Sequence, residues 1–212
     1  MTPAPSPSDV ALAKVQLRQQ LTTTRARLDP VARAAASAAI ARAVLALPAW
    51  DSATAVALYA ATGGEVETSG IAAAALRAGK VLAWPVIVAG DRRLSFASAA
   101  PEALVPGPFG VRRPPAGAPP VDRGEIGLFL VPGIGFDLSC NRLGRGAGFY
   151  DATLAALEGK ATRVGLAFEL QLVDSLPREP HDVALDAVAT EARLLLRAPS
   201  LLRPLHVDSG AR

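Results

Sequence analysis

The segment 141–151 (NRLGRGAGFYD) holds three glycines at alternate positions, two arginines and a closing aspartate. Glycines allow backbone N–H groups to approach an anion closely, and arginines form paired hydrogen bonds with phosphate oxygens. Two arginines in so short a turn repel each other unless an anion neutralises them. We therefore favour a phosphate-binding turn over the alternative, a flexible surface turn with solvated arginines. The turn matches neither a Walker A loop nor a dinucleotide fingerprint, since Phe149 occupies the third glycine position of the latter.

The residues on either side of this turn predict a strand and a helix. Residues 126–132 form an apolar run typical of a buried strand, and the residues up to Leu157 have helical spacing. A turn between a strand and a helix can direct backbone N–H groups and a helix N-terminus at a phosphate. Asp151, at the end of the turn, is then a candidate metal ligand.

Two further cations, Lys14 and Arg18, lie four residues apart and share one face of the first predicted helix, 9–27. Ser6-Pro7 supplies the cap and first turn of that helix. Its apolar stripe contains Val10, Leu17, Leu21 and Leu28. Lys14 falls inside this stripe. Either its stem lies along apolar neighbours with the ammonium in water, or both cations reach a phosphate site.

Acidic residues at predicted turns are candidate ligands. Glu65 follows two glycines just beyond a strand, where α/β sheets bind ligands if that end is the carboxyl edge. Glu67 is explained more simply by a helix start. Asp151 and Asp186 are candidate Mg²⁺ ligands, because one or two carboxylates and substrate phosphates usually hold this ion. For each aspartate a helix cap or a surface charge is the alternative. His181, beside an acid, is interpreted as structural.

The order of elements favours a three-layer α/β/α domain with a mostly parallel, mixed central sheet of Rossmann-like type. The domain is expected to span 9–198, with tails at 1–8 and 199–212. Loop 98–125 contains seven prolines, and we expect it to form no regular element and to be a functional loop or lid. The predicted elements are helices 9–27, 30–47 and 68–78, strands 55–60, 81–88, 94–97, 126–132, 163–168 and 187–189, and a short helical piece at 173–176.

The composition excludes several classes of protein. The 212 residues fit one domain, and no apolar run approaches the roughly 20 residues of a membrane helix. The N-terminus lacks the features of a secretory signal, and the single cysteine, Cys140, is compatible with a reducing compartment. The net charge of +3 is spread out and aromatic residues are scarce, which argues against nucleic-acid binding. We expect a cytoplasmic monomer that binds anionic small molecules, with no membrane or nucleic-acid partner.

Taken together, these residues resemble one family, the 5-formyltetrahydrofolate cyclo-ligases (methenyltetrahydrofolate synthetases). The resemblance covers nearly the whole chain after the tail and depends on the order and spacing of short motifs. These motifs are 14–18 (KVQLR), 65–68 (EVET), 107–111 (GPFGV), 131–133 (VPG), 136–137 (FD), 141–151, 171–173 (QLV), 176–177 (LP), 181–183 (HDV) and 186–191 (DAVATE).

The resemblance implies a ligase that needs ATP and Mg²⁺ and converts 5-formyltetrahydrofolate to 5,10-methenyltetrahydrofolate, with release of ADP and phosphate. The formyl oxygen would attack the γ-phosphate and form an imidate-like phosphate. N10 of the folate would then close the ring, and phosphate would leave. Phosphoryl transfer of this kind depends mainly on positioning and charge neutralisation.

The resemblance also assigns roles to individual residues. Glu65 and Arg145 are expected to act in catalysis, Glu65 near the reacting folate nitrogens and Arg145 where γ-phosphate and formyl group meet. Asp151 and Asp186 would bind Mg²⁺. The expected ATP ligands are Lys14, Arg18, Arg142, Leu143, Gly144, Arg145, Gly146, Ala147, Gly148, Phe149 and Tyr150. The expected folate contacts are Ala60, Glu65, Phe109, Arg145, Gly146, Ala147, Gly148 and Phe149, with Phe109 hypothesised to form an aromatic wall.

Two positions depart from the family pattern. Arg113 precedes Pro114 where many members have glutamate or glutamine, and Phe149 replaces a usual tyrosine. We expect activity despite both changes. Two other functions stay open: a non-catalytic relative that binds nucleotide or folate, and a kinase acting on a different small acid. The presence of Lys14, Glu65 and Asp151 favours the enzyme.

Overall fold

The computed structural model describes residues 6–157 and 161–197, with the side chain of Phe109 outside the description. The first helix begins inside the predicted tail 1–8, because Ser6 caps it through reciprocal hydrogen bonds with Asp9. In the described ranges, no helix is both long and apolar enough to cross a bilayer. The helices are α1 (Pro7–Ala26), α2 (Pro30–Leu45), α3 (Pro48–Ser52), α4 (Ser69–Arg77) and α5 (Phe149–Ala155).

The strands form one large and two small sheets. Their bounds are β1 (Ala55–Ala57), β2 (Val81–Val86), β3 (Ser95–Ser98), β4 (Val105–Pro106), β5 (Arg112–Arg113), β6 (Pro120–Val121), β7 (Ile126–Pro132), β8 (Gly135–Asp137), β9 (Arg142–Leu143), β10 (Thr162–Leu166), β11 (Leu172–Val173), β12 (Ala187–Ala189) and β13 (Leu194–Leu196).

The large sheet has eight strands in the order β13-β12-β10-β7-β1-β2-β3-β6. Neighbouring strands from β12 to β2 pair in parallel, whereas β13 and β3 pair antiparallel with their neighbours. The apolar run that predicted a strand at 126–132 is the central strand β7, which is buried on both faces as parallel strands require. The prediction of a mostly parallel, mixed sheet is confirmed.

Helices cover both faces of this sheet. Leu128 and Leu130 of β7 belong to the core cluster that includes α2 and α4, whereas Phe129 and Val131 belong to the cluster that includes Leu154 of α5. This alternation follows from the two-residue period of a strand. Each such side chain contributes about 1.5–3 kcal/mol when it is fully buried. The two clusters are the interfaces of the predicted three layers.

A smaller sheet connects the central strand to the glycine turn. β8 and β9 pair antiparallel directly before the turn, and β11 pairs with β8 in parallel. α1 packs on β8 and on the 3₁₀ turn Glu169–Gln171. This packing places α1 beside the glycine turn, although more than a hundred residues separate them in the chain.

The prediction that 98–125 forms no regular element is wrong. β4 and β5 pair within it, and β6 extends the edge of the large sheet. Three 3₁₀ turns also lie there: Pro101–Ala103, Pro108–Gly110 and Arg123–Glu125. Proline is compatible with edge strands and with the first position of a helical turn, so a high proline content did not exclude these short elements.

The helical piece predicted at 173–176 is also wrong, because Leu172 and Val173 form β11. Pairing of these two residues with Phe136 and Asp137 of β8 overrides the local pattern. Two further elements, α3 and β13, were not predicted from the sequence. Both are too short to show a periodicity of their own.

Candidate active site

A cavity of about 720 Å³ lies at the carboxyl edge of the parallel strands, where open α/β sheets bind ligands. Pro132, the last residue of β7, and Ala60, three residues beyond β1, both line it. The cavity brings together predicted residues from α1, from the turn after β1 and from the glycine turn. These residues are Lys14, Arg18, Ala60, Glu65, Arg142, Leu143, Gly144, Arg145, Gly146, Ala147, Gly148, Phe149, Tyr150 and Asp151.

Lys14 is buried and its ammonium is held by two carboxylates. Nζ donates hydrogen bonds of 2.6 Å to Glu179 and of 2.6 Å to Asp182. The alternative of a solvated ammonium is therefore wrong, while phosphate binding by Lys14 stays a prediction. Burial raises the pKa of the Asp182 carboxyl, but the hydrogen bonds from Lys14 and from the Glu179 N–H, with nearby positive charges, outweigh burial and lower it.

The two arginines of the glycine turn are paired with carboxylates. Arg142, whose side chain is 4% exposed, donates to Asp151 at 2.8 Å and lies 5.4 Å from the ring of Tyr150. Arg145 donates to Glu65 at 2.8 Å. The alternative of a turn with solvated arginines is therefore wrong for Arg142, whose guanidinium is buried and paired. The mutual repulsion expected of the two arginines is relieved by carboxylates of the protein itself.

The backbone of the glycine turn requires glycine at two positions. Gly146 has φ +103° and Gly148 has φ +74°, both in the left-handed region. Gly148 is the N-cap of α5, without a side-chain cap. Arg18 Nε donates to the carbonyl of Gly144 at 2.8 Å and so ties α1 to the turn. Within the described residues, the N–H groups of 146–148 donate to no protein acceptor.

A buried aspartate fixes the chain just before Arg142. The Asp137 carboxylate accepts hydrogen bonds from the backbone N–H groups of Ser139, Asn141 and Leu176 and from the Asn141 side chain, at 2.8–3.1 Å. Cys140, inside this turn, is buried with φ +61°. Burial raises the pKa of its thiol.

Glu65 is buried in the turn after β1. One carboxylate oxygen accepts from the N–H of Thr62 at 3.1 Å, and the other accepts from Arg145. Tyr59 and Tyr150 lie nearby in the cavity wall. Burial raises the pKa of both phenols, so both hydroxyls are neutral at physiological pH. At this end of the cavity the Glu65 carboxylate therefore lies beside two neutral hydroxyl groups.

Two predicted residues are not placed in the cavity. Asp186 lies at the amino end of β12, where its carboxylate accepts from the Arg163 N–H at 2.8 Å. Because the cavity is at the carboxyl edge, the structure does not bring Asp186 to Asp151, and the predicted pairing of the two in one metal site is not seen. The side chain of Phe109 lies outside the described residues, so its role in the folate wall stays a prediction.

Sequence reasoning missed other residues of the cavity. Glu179, His181 and Asp182 line it, and their ligand atoms lie within 4.8 Å of one another. His181 was interpreted as structural, yet its side chain is 70% exposed. An acid–His–acid spacing could have indicated a shared site. Arg112 and Arg113, within the proline-rich segment, also line the cavity.

The cavity has an excess of positive charge. Its lysine and arginine residues are Lys14, Arg18, Arg112, Arg113, Arg142 and Arg145, and its acidic residues are Glu65, Asp151, Glu179 and Asp182. Among the described residues, Arg18, Arg112 and Arg113 form no ion pair with a carboxylate. A concave site with unpaired arginines favours anionic ligands such as phosphates and carboxylates.

The model of the 5-formyltetrahydrofolate cyclo-ligase family matches residues 10–191, which include most of α1 and all the residues that line the cavity. The chain belongs to this family. The resemblance inferred from the short motifs is thereby confirmed. The cyclo-ligase match also includes Glu179, His181 and Asp182, the cavity residues that sequence reasoning did not select.

Individual cyclo-ligases agree with the family match. The 5-formyltetrahydrofolate cyclo-ligase of Haemophilus influenzae is 30% identical over 174 residues, covering 80% of this chain and 93% of that protein. That of Mycolicibacterium smegmatis is 44% identical over 94 residues, which span 44% of this chain and about half, 48%, of the relative. The solved structure of a 5,10-methenyltetrahydrofolate synthetase from Aquifex aeolicus matches with a TM-score of 0.77 and 29% identity, covering 92% of this chain and 98% of that one.

Proposed function

We propose that this protein catalyses the ATP-dependent cyclisation of 5-formyltetrahydrofolate to 5,10-methenyltetrahydrofolate, releasing ADP and phosphate. The observation that carries the proposal is the single cavity in which Lys14, Arg18 and the glycine turn meet Glu65. The first three provide charges and N–H groups for phosphate, and Glu65 provides a carboxylate for the folate ring. Membership of the cyclo-ligase family supports this assignment.

The phosphates of ATP are proposed to bind between α1 and the glycine turn. Arg18 already contacts this turn, and the N–H groups of 146–148 are available as donors. Lys14 would neutralise phosphate charge beside its two carboxylate partners. Electrostatic stabilisation by preorganised donors of this kind is the main protein contribution to phosphoryl transfer.

The folate is proposed to bind at the other end of the cavity, with its formyl group near Arg145. The Arg145 guanidinium bridges from the glycine turn to Glu65, which supports the proposal that γ-phosphate and formyl group meet beside it. The formyl oxygen would attack the γ-phosphorus and break its bond to ADP. N10 would then attack the activated formyl carbon, lose its proton and expel phosphate. Apolar residues of the cavity would pack against the ring system: Pro85, Ile87, Leu94, Pro108 and Val111.

The donor set of the cavity fits Mg²⁺ through Asp151. Its carboxylate lines the cavity beside the glycine turn and is 15% exposed, and carboxylate oxygens are the ligands that Mg²⁺ prefers. We propose that Asp151 and phosphate oxygens of ATP hold the ion, without Asp186. When bound, Mg²⁺ would reduce the charge on the phosphates. Arg142, the present partner of Asp151, would remain against the ring of Tyr150.

The test is formation of 5,10-methenyltetrahydrofolate, followed by absorbance, from 5-formyltetrahydrofolate, Mg²⁺ and ATP. Product should appear only when ATP is present. Glu65→Gln should lower kcat by about 100-fold or more, within the range for loss of an acid–base or orienting carboxylate. Glu102→Gln, at an exposed position outside the cavity, is the matched control and should leave turnover unchanged.

Two results would overturn the proposal. Tight folate binding with no product would support the non-catalytic relative. Release of ADP with a different acid, and not with folate, would support the kinase. The metal assignment has its own test: Asp151→Asn should raise the Mg²⁺ concentration needed for half-maximal rate by about 10-fold or more, in the range for loss of a metal-site interaction. Asp186→Asn should not, and equal Mg²⁺ dependence in both variants would refute the role of Asp151.

We further propose that the protein acts as a cytoplasmic monomer. The buried and unpaired Cys140 is consistent with a reducing compartment. Light scattering at micromolar concentration should give one mass near 21.8 kDa, and twice that mass would contradict the monomer.

A further inference from the structure

Arg25 is a buried arginine without a carboxylate partner. It is 3% exposed, and among the described residues it makes no ion pair. Its guanidinium instead donates to two backbone carbonyls, from NH2 to Gly63 at 3.0 Å and from NH1 to Gly133 at 3.3 Å, while Nε has no partner. Burying a charge with so few contacts is unfavourable. Burial accordingly lowers the pKa of Arg25, while the charge of Glu65 raises it.

The two carbonyls belong to the segments that follow two neighbouring parallel strands. Gly63 lies in the turn after β1, and Gly133 follows β7, with which β1 pairs. Gly133 lines the cavity, but Arg25 itself does not. The guanidinium therefore joins α1 to the turn after β1 and to the residue that follows β7, from behind the cavity wall.

The turn held by Arg25 carries Glu65. Gly63 has φ +59°, and the chain around it closes on itself through two hydrogen bonds. The Glu65 N–H donates to the carbonyl of Thr62 at 3.2 Å, and the Thr62 N–H donates to the Glu65 carboxylate at 3.1 Å. Apart from Arg145, which is 46% exposed, no other described side chain donates to Glu65. The part-buried bond from Arg25 to Gly63 attaches this turn to α1, while Tyr59 and Ser37 hold the chain just after it, at Val66 and Glu67.

We propose that Arg25 is a positioning residue for Glu65, acting through the carbonyl of Gly63 without touching substrate. It holds the turn of 62–65 beside Gly133, the residue that follows β7. In this way it sets where the Glu65 carboxylate enters the cavity. The inference rests on the proposed function for its catalytic consequence. Its structural part, the attachment of the turn by Arg25, stands independently.

The structural part is tested by amide hydrogen exchange in the protein without ligands. Arg25→Met keeps the unbranched apolar stem of the side chain and removes both hydrogen bonds. Exchange at the N–H groups of Thr62 and Glu65 should quicken by about 10-fold or more, the factor of roughly one lost hydrogen bond. Arg27→Met, at the exposed C-cap residue of the same helix, is the matched control and should leave both amides unchanged.

The catalytic part is tested by a double-mutant cycle with Glu65→Gln. Arg25→Met alone should lower kcat by about 10- to 100-fold, because a misplacement of about 1 Å has this effect. KM for ATP should change less than twofold. In the Glu65→Gln background the same substitution should have little further effect, because residues that act as a unit are not additive.

Several outcomes would refute the inference. Unchanged exchange at Thr62 and Glu65 would refute the attachment, and multiplicative effects in the cycle would refute action through Glu65. If Arg25→Met does not fold, Arg25→Lys keeps the charge but lacks the two separate nitrogens that now contact the two carbonyls, and it should quicken the same amides by a smaller factor. Faster exchange in Arg25→Met, together with no cyclisation activity in any variant or in the wild type, would separate the two parts. It would refute the proposed function and leave the attachment of the turn by Arg25 intact.

Discussion

Replacing Asp182 with asparagine should destabilise the protein at neutral pH. The carboxylate of Asp182 is 13% exposed and accepts two short hydrogen bonds, of 2.6 Å from Lys14 and of 2.7 Å from the Glu179 N–H. Asparagine has nearly the same shape and keeps one oxygen. The substitution therefore removes the negative charge and leaves the packing nearly unchanged.

The expected loss is about 2 kcal/mol. A hydrogen bond to a charged group contributes about 1.5–3 kcal/mol and one between neutral groups about 0.5–1.5 kcal/mol, so each of the two bonds loses about 1 kcal/mol. Complete loss of partners for a buried charge costs about 3–5 kcal/mol. The loss of about 2 kcal/mol applies here, and not the cost of an unpaired charge, because Lys14 keeps Glu179 as a partner at 2.6 Å. For a chain of this size the loss corresponds to a fall in Tm of about 4–8 °C.

The loss should also depend on pH in one direction. The pKa of Asp182 in the folded protein is lowered, so it lies below the value of about 3.9 for an unfolded aspartate. A lowered pKa contributes stability that is present above the unfolded value and is lost as the pH falls through the folded value. The difference in unfolding free energy between wild type and Asp182→Asn should stay constant from about pH 5 to 8 and shrink below about pH 4.

Urea unfolding followed by circular dichroism at pH 7, 5 and 3.5 measures this difference. Asp174→Asn is the control, because Asp174 is exposed and accepts no hydrogen bond from the described residues. Asp174→Asn should leave the free energy of unfolding unchanged at each pH. A loss under about 0.5 kcal/mol for Asp182→Asn at pH 7, the typical size of a surface substitution, would refute the reasoning. So would a loss that stays the same at pH 3.5.

Two further predictions concern the turn before Arg142. Asp137→Asn should lower the free energy of unfolding by about 2–4 kcal/mol, because an amide cannot accept all four hydrogen bonds now made to the carboxylate; urea midpoints within error of those of Asp174→Asn would contradict this. Cys140 should react with a thiol reagent at least about 100-fold more slowly in the folded protein than in denaturant, because it is buried and its pKa is raised. Equal rates would show that the turn opens freely.

The sequence predicted the central features of the fold for physical reasons. The apolar run at 126–132 had to be buried on both faces, and it is β7. The spacing of Lys14 and Arg18 placed both on one helix face, and both line the cavity. The glycine turn was predicted beside a strand end, where the structure has it. These features depend on local periodicity or on backbone conformations that only glycine adopts readily.

The remaining features depend on contacts between distant parts of the chain. Nothing near Lys14 indicates that Glu179 and Asp182 neutralise it, because the pairing requires the folded topology. The sequence places Arg25 in the last turn of a helix, where a basic residue is usually exposed. The fold instead buries it against the carbonyls of Gly63 and Gly133. Asp186 shows the converse. The strand at 187–189 was predicted with its observed bounds, and a residue directly before a parallel strand lies at the amino edge of the sheet. Asp186 could therefore have been excluded from the predicted metal site on topology alone.

The pairing of Lys14 also bears on when the site forms during synthesis. Lys14 and its partners are 165 and 168 positions apart in the chain. At a translation rate of about 5–20 residues per second, α1 is complete roughly 10 to 30 s before Asp182 is made. Throughout that interval the inner face of α1 carries Lys14 without its two carboxylate partners. The cavity is therefore completed at the end of translation, so that a nascent chain acquires it only when nearly the whole domain has been made.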